Sequence, residues 1–331
     1  MSNFRSQQPL RVDDPAQLLV QAKQSNRVAL ARLISIVERG GFGARELARL
    51  TWGQGDNSYL VGITGSPGAG KSTLTDRLIS QVRARSQEVA VIAIDPTSPF
   101  SGGAILGDRV RMQEHATDQG VFIRSMATRG HLGGLALAVP DAARLLAHVG
   151  FPYVLIETVG VGQVEVEVVG AADTVVVVMT PGWGDAIQAN KAGLMEVADV
   201  FIINKADRDG ARETRRDLEL MLEMSTFEGW VPPIIETVAT EGKGIEDAFD
   251  AIESHRDYLE RSGAGRRKRE ARILEEFTRI VHAEVSRKVD QLLADPSFQA
   301  RKAEMVSGEI DPYSIASDLL GFEEEKGPES L

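Results

Sequence analysis

The segment Gly65-Ser-Pro-Gly-Ala-Gly-Lys-Ser72 constrains the fold of this 331-residue chain more than any other part of the sequence. It matches the pattern G-x-x-x-x-G-K-[ST] at every fixed position, after an apolar run and before a helix-like stretch. Glycines let successive backbone N–H groups point at one anion, and the positive end of the following helix faces the same anion. The pattern predicts a phosphate-binding loop, with Lys71 on the β- and γ-phosphates and Ser72 on Mg²⁺.

Seven short apolar runs follow from residue 59 onward, and most are separated by helix-like stretches. Runs that are apolar on both faces are typical of buried strands in a mostly parallel sheet covered by helices. We therefore expect an α/β fold of the P-loop class, with a mostly parallel central sheet flanked by helices. The runs are YLVGIT, VAVIAID, VFIRSM, YVLIETV, DTVVVVMT, VFIIN and PPIIETV.

Helical patterns lie on both sides of this sheet region. Between Asp14-Pro15 and Gly40-Gly41, apolar residues recur at three- and four-residue steps, which predicts a small helical prefix. After Ile245 the pattern is again helical, and it is charged to the end. We expect an N-terminal helical extension over 1–57, a P-loop domain over 58–262 and a C-terminal helical region over 263–331.

Composition excludes several classes of function. The chain has 37 Lys and Arg against 48 Asp and Glu, a net charge of −11, which argues against a broad nucleic-acid-binding face. A basic cluster at 266–272 could contact phosphates, but a solvated helix face is the favoured interpretation. The absence of cysteine excludes disulfides and thiolate metal sites, and the five histidines lack a metal-ligand spacing. With no apolar signal core and no apolar run near about 18 residues, we expect a cytoplasmic protein that does not enter membranes.

A second motif, Asn204-Lys205-Ala206-Asp207, follows the apolar run VFIIN and predicts which base is bound. In open α/β sheets, ligands bind at the carboxyl ends of the strands. The Asp207 carboxylate can accept from both N1–H and the exocyclic amine of guanine, whereas adenine offers no such pair. Lys205 would lie along the base, and Asn204 would tie the loop together. Taken alone, this four-residue pattern also fits an exposed turn with charges. Together with the phosphate loop, it indicates a GTPase.

Acidic residues between the two motifs could sense the γ-phosphate. Asp95 ends one apolar run, Asp108 lies at an expected helix start in a loop rich in glycine and proline, and Glu157 ends another run. Helix or turn capping is the alternative interpretation of the two aspartates. Gly160 lies where a backbone N–H can meet the γ-phosphate. Val161 follows it directly, in place of a water-orienting glutamine, so we expect slow intrinsic hydrolysis.

Several longer strings resemble the methylmalonyl-CoA-mutase-associated GTPases, the MeaB or ArgK group, over almost the whole chain. This resemblance implies a GTP-hydrolysing chaperone that assembles with an adenosylcobalamin-dependent acyl-CoA mutase, gates cofactor loading and protects the mutase during turnover. It also implies a homodimer made through the C-terminal helices. The strings are AIDPTSPFSGGAILGDRVRM, SMATRGHLGGLA, ETVGVGQVEVEV, PGWGDAIQANKAG and LMEVADVFIINKAD.

The resemblance also implies roles for individual residues. Catalysis is assigned to Lys71, Asp108 and Glu157, and Mg²⁺ binding to Ser72, Asp95, Asp108 and Glu157. The positions expected to bind GTP are Gly65, Ser66, Pro67, Gly68, Ala69, Gly70, Lys71, Ser72, Thr73, Gly160, Asn204, Lys205, Asp207, Val238 and Ala239. The positions expected to relay nucleotide state to the mutase are Asp185, Gln188 and Lys191.

The chain departs from the family pattern at three positions. Trp183 replaces a small residue, and Ala192 replaces the second of two lysines, so contacts with the partner can differ. Val238 stands where the family tends to have serine, which removes a hydroxyl beside the base. The Ala239 N–H could still serve the guanine O6.

Two other classes of function remain open from the sequence. A metabolic P-loop kinase of the amino-acid transport type would transfer phosphate to an acceptor, but no acceptor site is evident and the guanine motif would be unneeded. A nickel-delivering metallochaperone GTPase would require clustered histidines or cysteines as metal ligands, and the chain has neither. Which mutase is served stays open as well.

Overall fold

The structure, a computed structural model, describes residues 14–53, 58–95, 115, 117–127, 132–158, 172–182, 197–227 and 229–321. The chain divides into two compact units, Met1–Arg272 and Ile273–Leu331. The finer division at 57/58 and 262/263 stays a prediction.

A seven-stranded sheet with every neighbouring pair parallel forms the centre of the first unit, in the order β3-β2-β4-β1-β5-β6-β7. Every residue of β4, β5 and β6 is buried, as expected for strands covered on both faces. The α/β fold class predicted from the apolar runs is confirmed. The strands are β1 (Tyr59–Gly65), β2 (Val89–Asp95), β3 (Val121–Ala127), β4 (Tyr153–Thr158), β5 (Thr174–Met179), β6 (Val200–Asn204) and β7 (Ile234–Thr237).

Helices cover both faces of the sheet and continue into the second unit. In addition to the α-helices, a short 3₁₀ helix spans Ala239–Glu241. The α-helices are α1 (Pro15–Lys23), α2 (Arg27–Arg39), α3 (Gly41–Thr51), α4 (Lys71–Ala84), α5 (Leu132–Val149), α6 (Ala211–Glu223), α7 (Ile245–Ser262), α8 (Ala264–Ala294), α9 (Pro296–Ser307) and α10 (Pro312–Leu320). Among the described residues, no helix combines the length and the hydropathy that a bilayer-spanning segment needs.

The helical prefix predicted between Asp14-Pro15 and Gly40-Gly41 is present and consists of two helices, α1 and α2. Ser25 has φ 64°, a left-handed conformation that ends α1, and the Asn26 side chain accepts from two backbone N–H groups to start α2. Leu30, Leu33 and Ile34 of α2 then share one buried cluster with residues of α5, β2 and β4.

On the opposite face of the sheet, α4 and α7 pack side by side on the strands and contact each other. Leu74 and Leu78 of α4 lie in one buried cluster with Phe249 and Ile252 of α7 and with Ile63 of β1. Burial of such aliphatic and aromatic side chains contributes about 1.5–3 kcal/mol each. This packing fixes α4, whose first residue is Lys71, against the strand that precedes the phosphate loop.

The basic cluster at the start of α8 differs in part from the expected solvated face. Lys268 Nζ donates to Asp199 Oδ2 at 3.0 Å and to the backbone oxygen of Asp173 at 2.8 Å. Arg272 donates to Asp173 Oδ1 at 2.6 Å, and Asp173 is buried. A buried carboxylate such as Asp173 needs a partner. Lys268 and Arg272 are therefore held at the residues that precede β5 and β6. Arg266, by contrast, is exposed.

The second unit is helical over its described residues. Asp295 and Asp311 cap α9 and α10, each with a proline as the first helical residue. On the part of α8 that belongs to this unit, a set of large apolar side chains is exposed. Its members are Ile273, Leu274, Phe277, Ile280, Val281, Val285 and Leu293.

Candidate nucleotide site

Most of the predicted site residues that the structure describes lie at one edge of the sheet. Because all pairings are parallel, the carboxyl ends of the strands meet there: β1 ends at Gly65, β4 at Thr158, β6 at Asn204 and β7 at Thr237. β1 lies between β4 and β5, with β2 to β4 on one side of it and β5 to β7 on the other, so the chain changes sides of the sheet at β1. Ligands of open α/β sheets bind at such a switch point.

Two glycines of the phosphate loop occupy positions that no larger residue fits. Gly65 has φ 139°, and a Cβ there would lie 1.9 Å from the backbone oxygen of Val178 in β5. Gly70 has φ 90°, and a Cβ there would lie 2.5 Å from Asn204 Nδ2. The loop therefore passes against two strands before α4 begins at Lys71. The N-terminal N–H groups of α4 lie at the same edge, where they suit an anion.

The Lys71 side chain is buried within this loop. Its Nζ donates to the backbone oxygens of Gly65 at 2.8 Å and Ser66 at 2.9 Å. These carbonyls hold the ammonium on the inner side of the loop, close to the backbone that would surround a phosphate. A charged, three-donor group held here is suited to contact phosphate oxygens.

Ser72 and Glu157 form a pair beside the loop. The Ser72 Oγ donates to Glu157 Oε1 at 2.6 Å, and both side chains are buried. Both side chains offer the oxygen ligands that Mg²⁺ prefers, and this ion completes its shell with water and phosphate oxygens. The donor set therefore fits Mg²⁺.

Of the two other predicted metal residues, Asp95 and Asp108, only Asp95 lies within the described residues. Asp95 is the last residue of β2, whose neighbour Ile94 pairs with Thr158, so its backbone lies at the same edge as Glu157. Asp108 and Gly160 lie outside the described residues. The predicted coupling positions also lie outside them, as do the departures Trp183 and Ala192. Those positions are Asp185, Gln188 and Lys191.

Asn204 links the phosphate loop to the loop after β7. Its Nδ2 donates to the backbone oxygen of Ala69 at 2.8 Å, and its Oδ1 accepts from Thr237 Oγ1 and from the Ala239 N–H, both at 3.1 Å. The side chain is 2% exposed, so these bonds are shielded from water. The sequence predicts that Asn204 ties the loop together, and in the structure its side chain bonds both loops.

Lys205 and Asp207 complete this side of the site. Lys205 has φ 60° and its Nζ donates to the backbone oxygen of Gly68 at 2.7 Å, which lays the side chain across the phosphate loop. Asp207 is exposed, and within the described part of the chain no group hydrogen-bonds its carboxylate. The pKa of Lys243 is raised, chiefly by its hydrogen bond to Glu241 and to a lesser degree by Asp207. A carboxylate therefore faces solvent at the base side of the loop, available to a ligand.

Sequence reasoning missed two residues of this site. Thr237 donates to Asn204 Oδ1, and its place at the end of β7 could have indicated it. Arg77 donates from Nε to the backbone oxygen of Ala239 at 3.1 Å. No pattern in the sequence indicates that contact, because it joins α4 to a loop far along the chain.

One edge of the parallel sheet carries a glycine loop with a buried lysine, a Ser–Glu pair and an Asn–Lys–x–Asp loop. This combination defines the class of P-loop nucleotide-binding proteins. A family model described as methylmalonyl-CoA mutase-associated GTPase MeaB matches residues 30–293. The chain belongs to this family and is a GTPase.

Relatives and a solved structure agree with this membership. A protein named as a GTPase in Pyrococcus abyssi is 52% identical over 308 residues, covering 92% of this chain and 95% of its own. GTPase ArgK of Escherichia coli is 34% identical over 292 residues, covering 86% of this chain and 87% of its own. A crystal structure described as LAO/AO transport system kinase superimposes with a TM-score of 0.70 at 25% identity, covering 95% of this chain and 99% of its own.

Proposed function

We propose that this GTPase is a chaperone of an adenosylcobalamin-dependent acyl-CoA mutase, methylmalonyl-CoA mutase or a close relative, that gates cofactor loading and protects the mutase. The description of its family as mutase-associated supports the partner. The substrate is GTP, which water hydrolyses to GDP and phosphate.

The observation that best supports a guanine nucleotide is the position of Asn204 between the two loops. One buried amide bonds both the phosphate loop at Ala69 and the base loop at Ala239. The phosphate loop and the base loop are thereby fixed relative to each other. Asp207 would accept from N1–H and the exocyclic amine of guanine, and the Ala239 N–H would donate to O6. Adenine would leave the Asp207 carboxylate unpaired, which costs about 1–3 kcal/mol.

At the phosphate end, the same groups would bind and orient GTP. Lys71 would exchange its two carbonyl partners for β- and γ-phosphate oxygens, and the α4 N–H groups would hold the β-phosphate. Ser72 and Glu157 would hold Mg²⁺, with Asp95 and Asp108 as the further proposed ligands. Bound Mg²⁺ supplies positive charge that offsets the charge on the phosphate oxygens. Asp108 and the Gly160 N–H would orient the attacking water and the γ-phosphate.

We also propose that the protein is a homodimer joined through its C-terminal helices. The exposed apolar residues of α8, among them Leu274, Phe277 and Val281, lie at three- and four-residue steps and so form one helix face. Contiguous apolar surface of this kind marks interaction sites. Light scattering of the full chain tests this: a mass of two copies is expected, and a monomer at micromolar concentration contradicts it.

The chaperone role is tested by cofactor loading. Apo-mutase and adenosylcobalamin are mixed with the full chain and either GTP or a non-hydrolysable GTP analogue, and loading is followed by the cobalamin absorbance. We expect loading that depends on hydrolysis, with the analogue blocking it. Equal loading with GTP, with the analogue and without the chain would contradict the gating role. Phosphate found on an acceptor rather than in water would instead favour a kinase.

A further inference from the structure

Arg77 joins the helix of the phosphate loop to the loop of the base. It lies on α4, six positions after Lys71, and its half-buried side chain donates from Nε to the backbone oxygen of Ala239 at 3.1 Å. A charged donor makes a stronger hydrogen bond than a neutral one. Among the described residues, two side chains bond the backbone of Ala239, and Arg77 is one of them.

The other bond fixes the opposite side of the same residue. The Ala239 N–H donates to Asn204 Oδ1 at 3.1 Å, while the Ala239 carbonyl accepts from Arg77 and from the Gly242 N–H at 3.3 Å. Both peptide groups of Ala239 are therefore held, and the residue is 2% exposed. Neither Val238 nor Ala239 has a side-chain donor, so only the backbone of this pair can donate to a base.

We propose that Arg77 is a positioning residue for guanine recognition, which holds the Ala239 N–H toward O6 of the base. This inference rests on the proposed GTP site. One N–H cannot serve two acceptors at full strength, so binding of O6 weakens the bond from Ala239 to Asn204. Arg77 contacts the carbonyl instead and keeps its bond in both states. It is then the side chain that holds Ala239 when nucleotide is bound.

The decisive variant is Arg77→Met, which keeps an aliphatic stem and removes the donor. Arg77→Gln is the rescue, because the Gln amide nitrogen lies the same number of bonds from the backbone as the Arg Nε. Arg85→Met is the matched control: Arg85 follows α4, contacts Asp250 at 3.5 Å and lies over the Phe249 ring at 4.2 Å, but does not contact Ala239.

The readout is the dissociation constant for GTP and for 6-thio-GTP, in which sulfur replaces O6 and accepts hydrogen bonds weakly. Arg77→Met should weaken GTP binding by about tenfold and 6-thio-GTP binding by much less, with KM raised and kcat nearly kept. Arg77→Gln should restore most GTP affinity, and Arg85→Met should bind both nucleotides like the parent. Equal weakening of both nucleotides, no weakening, or no rescue by Gln would overturn the role of Arg77.

The same titrations separate this inference from the proposed function. A parent protein that binds ATP as tightly as GTP would contradict the proposed guanine site. A parent that prefers GTP, with an Arg77→Met variant that keeps the full difference between GTP and 6-thio-GTP, would overturn the Arg77 inference alone.

Discussion

The Ser72 hydroxyl donates to the Glu157 carboxylate at 2.6 Å, which joins the first turn of α4 to the end of β4. These two residues are far apart in the chain and are both buried. Their contact brings the helix that follows the phosphate loop together with the carboxylate expected at the metal. The chemistry predicted for this edge of the sheet depends on that pairing.

The first prediction concerns the charge of Glu157. Glu157→Gln keeps an oxygen that can accept from Ser72 but removes the negative charge proposed to hold Mg²⁺. GTP hydrolysis should fall at least about 100-fold, because charge placement and positioning dominate phosphoryl transfer. Phosphate release at saturating GTP measures this, with circular dichroism as the check on folding.

Asp173→Asn is the matched control, since Asp173 is also buried but precedes β5 at the opposite edge of the sheet. It should lower stability through the weakened bond to Arg272 and leave kcat nearly unchanged. A Glu157→Gln protein that is folded and fully active would show that Glu157 has no role in catalysis.

The base assignment predicts a change of nucleotide preference. Asp207→Asn replaces an acceptor by an amide whose N–H₂ can donate to the additional carbonyl of xanthine. Affinity for GTP should fall by about tenfold or more, and xanthosine triphosphate should become the better ligand. Competition titrations measure both. Asp209→Asn, a nearby exposed change in the same turn, should keep the preference for GTP. Unchanged GTP affinity in Asp207→Asn would contradict the assignment.

The tight passage of the phosphate loop predicts a difference between two glycines. Gly65→Ala would place a Cβ 1.9 Å from the Val178 backbone oxygen, so it should lower the free energy of unfolding by more than about 3 kcal/mol. Gly68 has φ 75° with nothing within 4 Å of a Cβ, so Gly68→Ala should cost only about 1–2 kcal/mol. Urea unfolding measures both. Equal costs would show that the loop does not pack against β5 as described.

His255 predicts a loss of stability in acid. Burial lowers its pKa, against the opposing effect of Asp199 and with help from Lys268, and its Nδ1 lies 2.6 Å from Thr174 Oγ1. Since the unfolded chain binds this proton more readily than the folded chain, the His255 contribution is complete above about pH 6.5 and declines as the pH falls toward the lowered pKa. The largest slope from one proton is about 1.4 kcal/mol per pH unit.

The matching variants are His255→Gln and the exposed His282→Gln. Urea unfolding between pH 5 and 8 should show the stability gap between parent and His255→Gln narrowing below about pH 6.5. His282→Gln should follow the parent. A gap that stays constant across this range would contradict the account of His255.

Local patterns predicted the fold class and the strand-loop-helix context of the phosphate loop. The fold class was predictable because strands buried on both faces are continuous apolar runs. The phosphate loop was predictable because Gly65 and Gly70 have backbone conformations that glycine adopts at low cost. The roles predicted for Asn204, Lys205 and Asp207 stay predictions, and the structure places all three residues at the edge of the sheet beside the phosphate loop.

Long-range pairings were not predictable from the sequence. The charge run of the basic cluster on α8 favours a solvated face, because a helical charge run gives no sign of a buried partner. Lys268 and Arg272 instead contact Asp199 and Asp173, which become their neighbours only once β5 and β6 pair. The bond from Arg77 to Ala239 has the same origin. The roles predicted for Asp108, Gly160, Asp185, Gln188 and Lys191 concern residues outside the described ranges and stay predictions.

The most direct test of the proposed function is GTP turnover during a titration with an adenosylcobalamin-dependent acyl-CoA mutase. Because no glutamine directly follows Gly160, the protein alone should hydrolyse GTP slowly, and a cognate mutase should raise kcat by favouring the competent state. Turnover should rise as mutase is added and reach a plateau once all of the protein is bound to mutase. A rate that stays flat across the titration with every such mutase would contradict the chaperone role, even if the protein hydrolyses GTP alone.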